Sequence, residues 1–112
     1  MLTIYHNPRC SKSRQTLALI EENNQTVEVV EYLKEPLNAE QINELKDKLG
    51  VSVIEMMRTK ETEFKEQSLK GADDATLVQA MVNTPKLIER PIVVKGDKAV
   101  IGRPPENVLS LF

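Results

Sequence analysis

The chain of 112 residues has one cysteine, one histidine, no tryptophan, and only two phenylalanines and two tyrosines. A single cysteine cannot close an internal disulfide, so any redox cycle must borrow an external thiol to resolve its intermediate. One cysteine and one histidine cannot supply the ligand set of a structural zinc site, and no metal is expected. The four glycines, Gly50, Gly71, Gly96 and Gly102, form neither a dinucleotide fingerprint nor a phosphate-cradling loop, so no bound cofactor is expected. Scattered aromatic rings and a formal net charge of −2 leave no stacking platform and no basic footprint for nucleic acid. No apolar run approaches membrane-spanning length, and the first residues enter a strand pattern without the basic flank and apolar stretch of an export signal. One unpaired cysteine in such a chain points to the reducing cytoplasm.

What is present suits a single domain over residues 1–112, with 40% apolar and 29% charged residues. Leu2 to Tyr5 reads as a strand, Ser11 to Asn23 as a helix with Leu17, Ile20 and Leu19 inward, and Val27 to Tyr32 as a second strand. A strand, helix and strand of this length form a βαβ unit, whose crossover makes the strands parallel. Pro36 breaks the chain. Asn38 to Leu49 then reads as a helix, with Asn38 and Gln41 at capping-box spacing, Ile42, Leu45 and Leu49 on one face, and Gly50 as its stop. Val51 to Met57 is expected to be helical with Val53, Ile54 and Met57 inward, followed by a charged stretch from Thr59 to Lys70. A helix capped by Asp73 or Asp74 carries Leu77, Val78, Met81 and Val82 and ends at Pro85. Ile92 to Lys95 and Lys98 to Ile101 form a hairpin across Gly96-Asp97, and a last helix from Pro105 to Phe112 is expected to bury Val108, Leu109 and Phe112. This order matches an α/β, thioredoxin-like (glutaredoxin-like) sheet with a helical insertion at about 38–88, between the second and third strands.

Cys10 falls on the turn between the first strand and the first helix. Unpaired N–H groups and the positive end of the helix dipole favour a thiolate there, and such surroundings lower a thiol from about 8.5 to roughly 3.5–7.5. Arg9, Lys12 and Arg14 add positive charge nearby. The plain alternative is a small buried residue, which the polar, cationic neighbours disfavour. Of the five arginines, Arg58, Arg90 and Arg103 stand at element boundaries, and Arg90 and Arg103 bracket the hairpin. A guanidinium fork suits a tetrahedral oxyanion, yet each position taken alone fits a solvated surface charge or an ion-pair partner better, and spacing does not decide between them.

The segments His6-Asn7-Pro8-Arg9-Cys10-Ser11-Lys12-Ser13-Arg14, Met56-Met57-Arg58-Thr59-Lys60-Glu61, Leu87 to Val94 and Ala99 to Glu106 resemble, in the same order, the glutaredoxin-dependent arsenate reductase family. The resemblance implies a thioredoxin-like fold in which Cys10 attacks arsenate and Arg58, Arg90 and Arg103 hold the oxyanion and its thiol adducts. It implies glutathione as co-substrate and glutaredoxin as reducing partner. His6 matches a family histidine thought to influence the thiol, and closing the loop by hydrogen bonding is its plainer role. Pro91 matches the cis-proline that thioredoxin-like folds place opposite the reactive cysteine, so a cis Arg90–Pro91 bond is expected. Ser13 stands where a C-x-x-C pair has its second cysteine, which separates the chain from the family's regulator branch. Thr16 stands where the phosphatase-like class of arsenate reductases has an arginine, so that class is excluded. A glutathione-dependent reductase of another substrate, or a non-enzymatic regulator or adaptor on the same fold, is the alternative.

Overall fold

β1 (Leu2–Tyr5) lies inside a four-stranded sheet of order β2-β1-β3-β4, in the computed structural model that describes all residues, 1–112. β2 (Val27–Val30) runs parallel to β1, with Leu2 opposite Val27 and Tyr5 opposite Val30. β3 (Ile92–Lys95) is antiparallel to β1, pairing Ile4 with Val93, and β4 (Lys98–Ile101) is antiparallel to β3. Gly96 at φ 61 occupies the first central position of the hairpin turn, where a left-handed residue matches the strand twist. α1 (Ser11–Glu22) is the crossover from β1 to β2, and α2 (Ala39–Leu49), α3 (Thr62–Glu66) and α4 (Asp74–Asn83) all lie between β2 and β3. This is the thioredoxin-like arrangement with a helical insertion.

Two compact units result. One contains Met1–Glu35 with Arg90–Phe112, the other Pro36–Glu89. In the sheet unit, Leu2, Ile4 and Val93 share a buried cluster with Ile20 of α1 and with Val108 and Leu111, while Leu17, Leu19, Val27 and Val100 pack at its margin. Each fully buried aliphatic side chain contributes about 1.5–3 kcal/mol of transfer free energy, and a one-residue slip of β1 would turn Leu2 and Ile4 out of this cluster. In the helical unit, Asn38 and Gln41 form the reciprocal capping box, and Gly50 closes α2 at φ 69. Asp73 caps α4 by accepting the Thr76 N–H at 2.8 Å. α3 ends with Ser68 N–H bonded to Lys65 O at 3.0 Å and Leu69 N–H to Phe64 O at 3.2 Å, the paired bonds of a Schellman motif. Ser68 takes φ 53 there, a position that favours glycine. No helix is long and apolar enough to cross a membrane.

Four expectations are corrected. The last element is a 3₁₀ helix, Pro105–Leu111, whose three-residue turn puts Pro105, Val108 and Leu111 on the buried face. Leu109 and Phe112 are consequently 43% and 37% exposed rather than buried. Residues 51–57 form only a 3₁₀ turn at Ile54–Met56, because Met57 becomes extended and bridges to Ile88; Val53, Met56 and Met57 are buried, but Ile54 faces solvent. β2 stops at Val30 rather than Tyr32, since β1 has no further residue to pair and Glu31 O accepts the N–H groups of Lys34 and Glu35 in a turn. The charged stretch from Thr59 contains α3, anchored by the buried Phe64.

Candidate active site

Leaving β1, the chain tightens around Asn7. The Asn7 carbonyl accepts the Cys10 N–H at 3.0 Å and its side-chain Oδ1 accepts the Arg9 N–H at 3.0 Å. The fold thereby delivers Cys10 to the N-cap of α1, with φ −92 and ψ 124, its carbonyl accepting the Arg14 N–H at 3.0 Å. The thiol makes no N-cap hydrogen bond itself, as expected of a weak acceptor. Its ionised form is another matter. Partial burial pushes the Cys10 thiol up, but the Ser13 N–H, the Arg90 guanidinium by hydrogen bond and by charge, and the Lys12 N–H together hold it below its ordinary value.

That balance revises the electrostatic expectation. The side chain that favours the thiolate is Arg90, brought from the far end of the sequence, rather than flanking Arg9, Lys12 or Arg14; Lys12 acts through its backbone. Arg14 instead donates from Nη1 to Pro8 O at 3.0 Å and braces the turn. Arg90 precedes β3 through a cis bond to Pro91, as expected, and a second cis bond joins Arg103 to Pro104. Gly102 N–H donates to Pro91 O at 2.9 Å, so the two ends of the hairpin meet, and Arg103 Nη1 lies 3.5 Å from Arg90 O. Cys10, Arg90, Pro91 and Arg103 are therefore one cluster within the sheet unit.

His6 and Ser13 form the floor of the turn. His6 Nδ1 and Ser13 Oγ are 2.7 Å apart and buried, and Ser13 Oγ also accepts the Asn7 N–H at 3.0 Å. Burial lowers the His6 pKa, Glu31 opposes this and Arg14 adds to it, leaving a ring that is neutral at neutral pH. A neutral ring can accept the Ser13 hydroxyl at Nδ1 while Ser13 accepts from Asn7, which satisfies all three groups. Sequence reasoning missed Asn7, Thr16 and Gly102. Thr16 shares the buried face of α1 with Ser13 and Ile20, a signal present in the i, i+3 spacing but masked by its polarity. Arg58 belongs to the helical unit, where its Nε donates to Glu61 at 2.9 Å and its backbone N–H to Leu87 O at 2.7 Å.

An acidified thiol at a helix N-terminus beside a guanidinium has the chemistry a nucleophile facing an anion would need. Fold and site together define a single-cysteine protein of the thioredoxin-like class. The chain belongs to the ArsC family, whose profile it matches over residues 5–111. It is 53% identical to the uncharacterized protein YfgD of Escherichia coli, over 96% of this chain and 93% of that one. It is 46% identical to an arsenate reductase of Haemophilus influenzae, over 97% of each chain. Among solved structures, an arsenate reductase from Vibrio cholerae superposes with a TM-score of 0.97 at 46% identity, covering 99% of this chain and 97% of that one.

Proposed function

We propose that this chain is an arsenate reductase that draws its electrons from glutathione and glutaredoxin in a reducing cytoplasm. The observation that carries the reading is the Cys10 thiol, held below its ordinary pKa by the first N–H groups of α1 and by Arg90. The names of close relatives support arsenate as substrate. The thiolate attacks arsenic; an As–S bond forms, an As–O bond breaks, and with proton uptake the oxygen leaves as water. A glutathione thiolate then attacks the Cys10 sulfur of this adduct. A disulfide bond forms, the As–S bond breaks, and its electron pair stays on arsenic, which departs as arsenite in the trivalent state. Glutaredoxin takes the glutathione by thiol–disulfide exchange and returns Cys10 to the thiol. External thiols are required because the chain has no second cysteine.

Arg90 and Arg103 hold the anion and its adducts in this scheme, with Arg58 as a third ligand by its match to the family. Charge-assisted, forked hydrogen bonds suit both the tetrahedral substrate and the developing charge of the attack. Ser13, His6 and Pro91 support the turn and the hairpin end without touching arsenic. Arsenite production by purified protein, with glutathione and glutaredoxin omitted in turn, tests the reading. Turnover should require both, and mass spectrometry should find one glutathione on Cys10. Sustained turnover without any added thiol overturns the monothiol cycle, and no arsenite under the complete conditions overturns the substrate.

A further inference from the structure

The helical unit has a cavity of its own, about 540 Å³, which the chemistry at Cys10 does not use. That size falls within the range of small-molecule sites, roughly 300–1,000 Å³. Buried Phe64 and Leu69 form its floor, and Ile54 stands at its mouth with 39% of its surface exposed. Two exposed cations, Lys65 and Lys70, line the same cavity, and neither side chain makes an ion pair or a hydrogen bond. The acids of this segment are committed elsewhere or turned away: Glu61 accepts from Arg58 at 2.9 Å, Glu63 from Lys86 at 2.9 Å, and Glu66 does not line the cavity. We propose that this cavity binds an amphipathic organic acid, its apolar tail on Phe64, Leu69 and Ile54 and its carboxylate received by Lys65 and Lys70.

The backbone points the same way. Ser68 at φ 53 and Gly71 at φ 80 both line the cavity in left-handed conformations. Glycine would hold the first of these at lower cost, yet serine puts a hydroxyl there, and like that of Thr59 it has no protein partner. Conformational strain of this kind concentrates at ligand sites. Lysine stems extend the apolar wall while their ammonium groups stay in water, so a ligand can bury its tail and keep its head near solvent. Two ammonium point charges without a nearby free acid select an anion; a cation of the same shape would be repelled.

Titration of the isotope-labelled full chain with decanoate, decylamine and acetate, followed by NMR, tests the proposal. Decanoate below its micelle concentration should give saturable shifts centred on the backbone N–H groups of Ile54, Thr59, Ser68 and Gly71. Decylamine has the same tail with the opposite charge, and acetate has the charge without the tail; each should bind at least about ten-fold more weakly. Replacing both cations, Lys65→Gln with Lys70→Gln, should weaken decanoate about ten-fold, and Ile54→Ser several-fold. Raised salt should weaken decanoate on the wild-type chain as well, a reading that depends on no variant folding. Shifts that do not saturate or that centre elsewhere overturn the site. Decylamine binding as tightly as decanoate, an affinity indifferent to salt, or full affinity in the folded double variant overturns the choice of an anion.

Discussion

Replacing Gly102 by alanine tests how tightly α1 is set against the hairpin ends. An added Cβ would lie 2.5 Å from Thr16 Oγ1, 2.8 Å from Pro91 Cγ and 3.0 Å from Thr16 Cγ2. None of these atoms is the free end of a flexible side chain. Thr16 is fully buried and β-branched, its Oγ1 donates to Lys12 O at 2.8 Å, and Pro91 Cγ is part of a rigid ring. Relief therefore requires α1 and the Pro91 turn to part, an overpacking that costs about 1–3 kcal/mol. Urea denaturation followed by circular dichroism, which suits a chain without tryptophan, should show a lower midpoint at constant slope. Thr16→Ala alone should cost about 1 kcal/mol for its hydrogen bond and packing. In the Gly102→Ala background it removes two of the three clashes, so the double variant should be more stable than additivity predicts by on the order of 1 kcal/mol. Since α1 presents Cys10 and the Pro91 turn presents Arg90, the thiol of folded Gly102→Ala should also titrate closer to its ordinary value. An unchanged midpoint, or a strictly additive cycle, refutes the steric argument.

Cys10→Ser should abolish turnover with the fold intact, because the hydroxyl does not ionise near neutrality; retained turnover would place the nucleophile elsewhere. Iodoacetamide labelling of the native protein should have its midpoint below that of the urea-unfolded chain. Because the folded pKa is depressed, ionisation of Cys10 contributes stability fully above the unfolded thiol pKa and loses it as pH falls through the folded one, so Cys10→Ser should flatten stability against pH in that window. Arg90→Lys keeps a charge but loses the planar fork, and kcat/KM for arsenate should fall tens- to about a thousand-fold; near-wild-type kinetics would reduce Arg90 to a surface cation. Ser68→Gly should stabilise the helical unit by about 1 kcal/mol, since Ser68 holds φ 53 at a Schellman position, and a lower thermal midpoint would contradict this.

The parts of the fold legible in sequence are those written by local chemistry. Asn38, Gln41 and Gly50 bound α2 because caps act within a few residues, and Gly96-Asp97 marks the hairpin for the same reason. The errors lie where distant partners decide. Val51 to Met57 has a helical apolar pattern, but pairing of Met57 with Ile88 draws its end into an extended conformation. Pro105 to Phe112 carries apolar residues at both α-helical and 3₁₀ spacing, and packing against α1 and β4 selects the latter. At the site, Cys10 was visible from its turn and Arg90 and Arg103 from the hairpin they bracket. Which cation serves the thiol was not, because proximity in sequence favoured Arg9, Lys12 and Arg14 whereas proximity in space belongs to Arg90. Gly102 was equally silent: its conformation is unexceptional, and only the atoms beside it forbid a side chain.

The register of the central strands makes the meeting of Cys10 and Arg90 depend on a long-range closure of the chain. β1 and β2 with α1 can form from neighbouring sequence, but β1 pairs with β3 by matching Tyr5 to Ile92 and Leu2 to Lys95, across the whole length of the helical insertion. Contacts of such separation form slowly, because the entropy of closing the intervening chain is lost before any pairing repays it. Arg90 reaches the thiol only when that closure is complete. Until then only the first N–H groups of α1 favour the Cys10 thiolate, and the sulfur lacks the guanidinium that completes its activation. Full activation of this sulfur is thereby tied to topology rather than to its own segment of sequence.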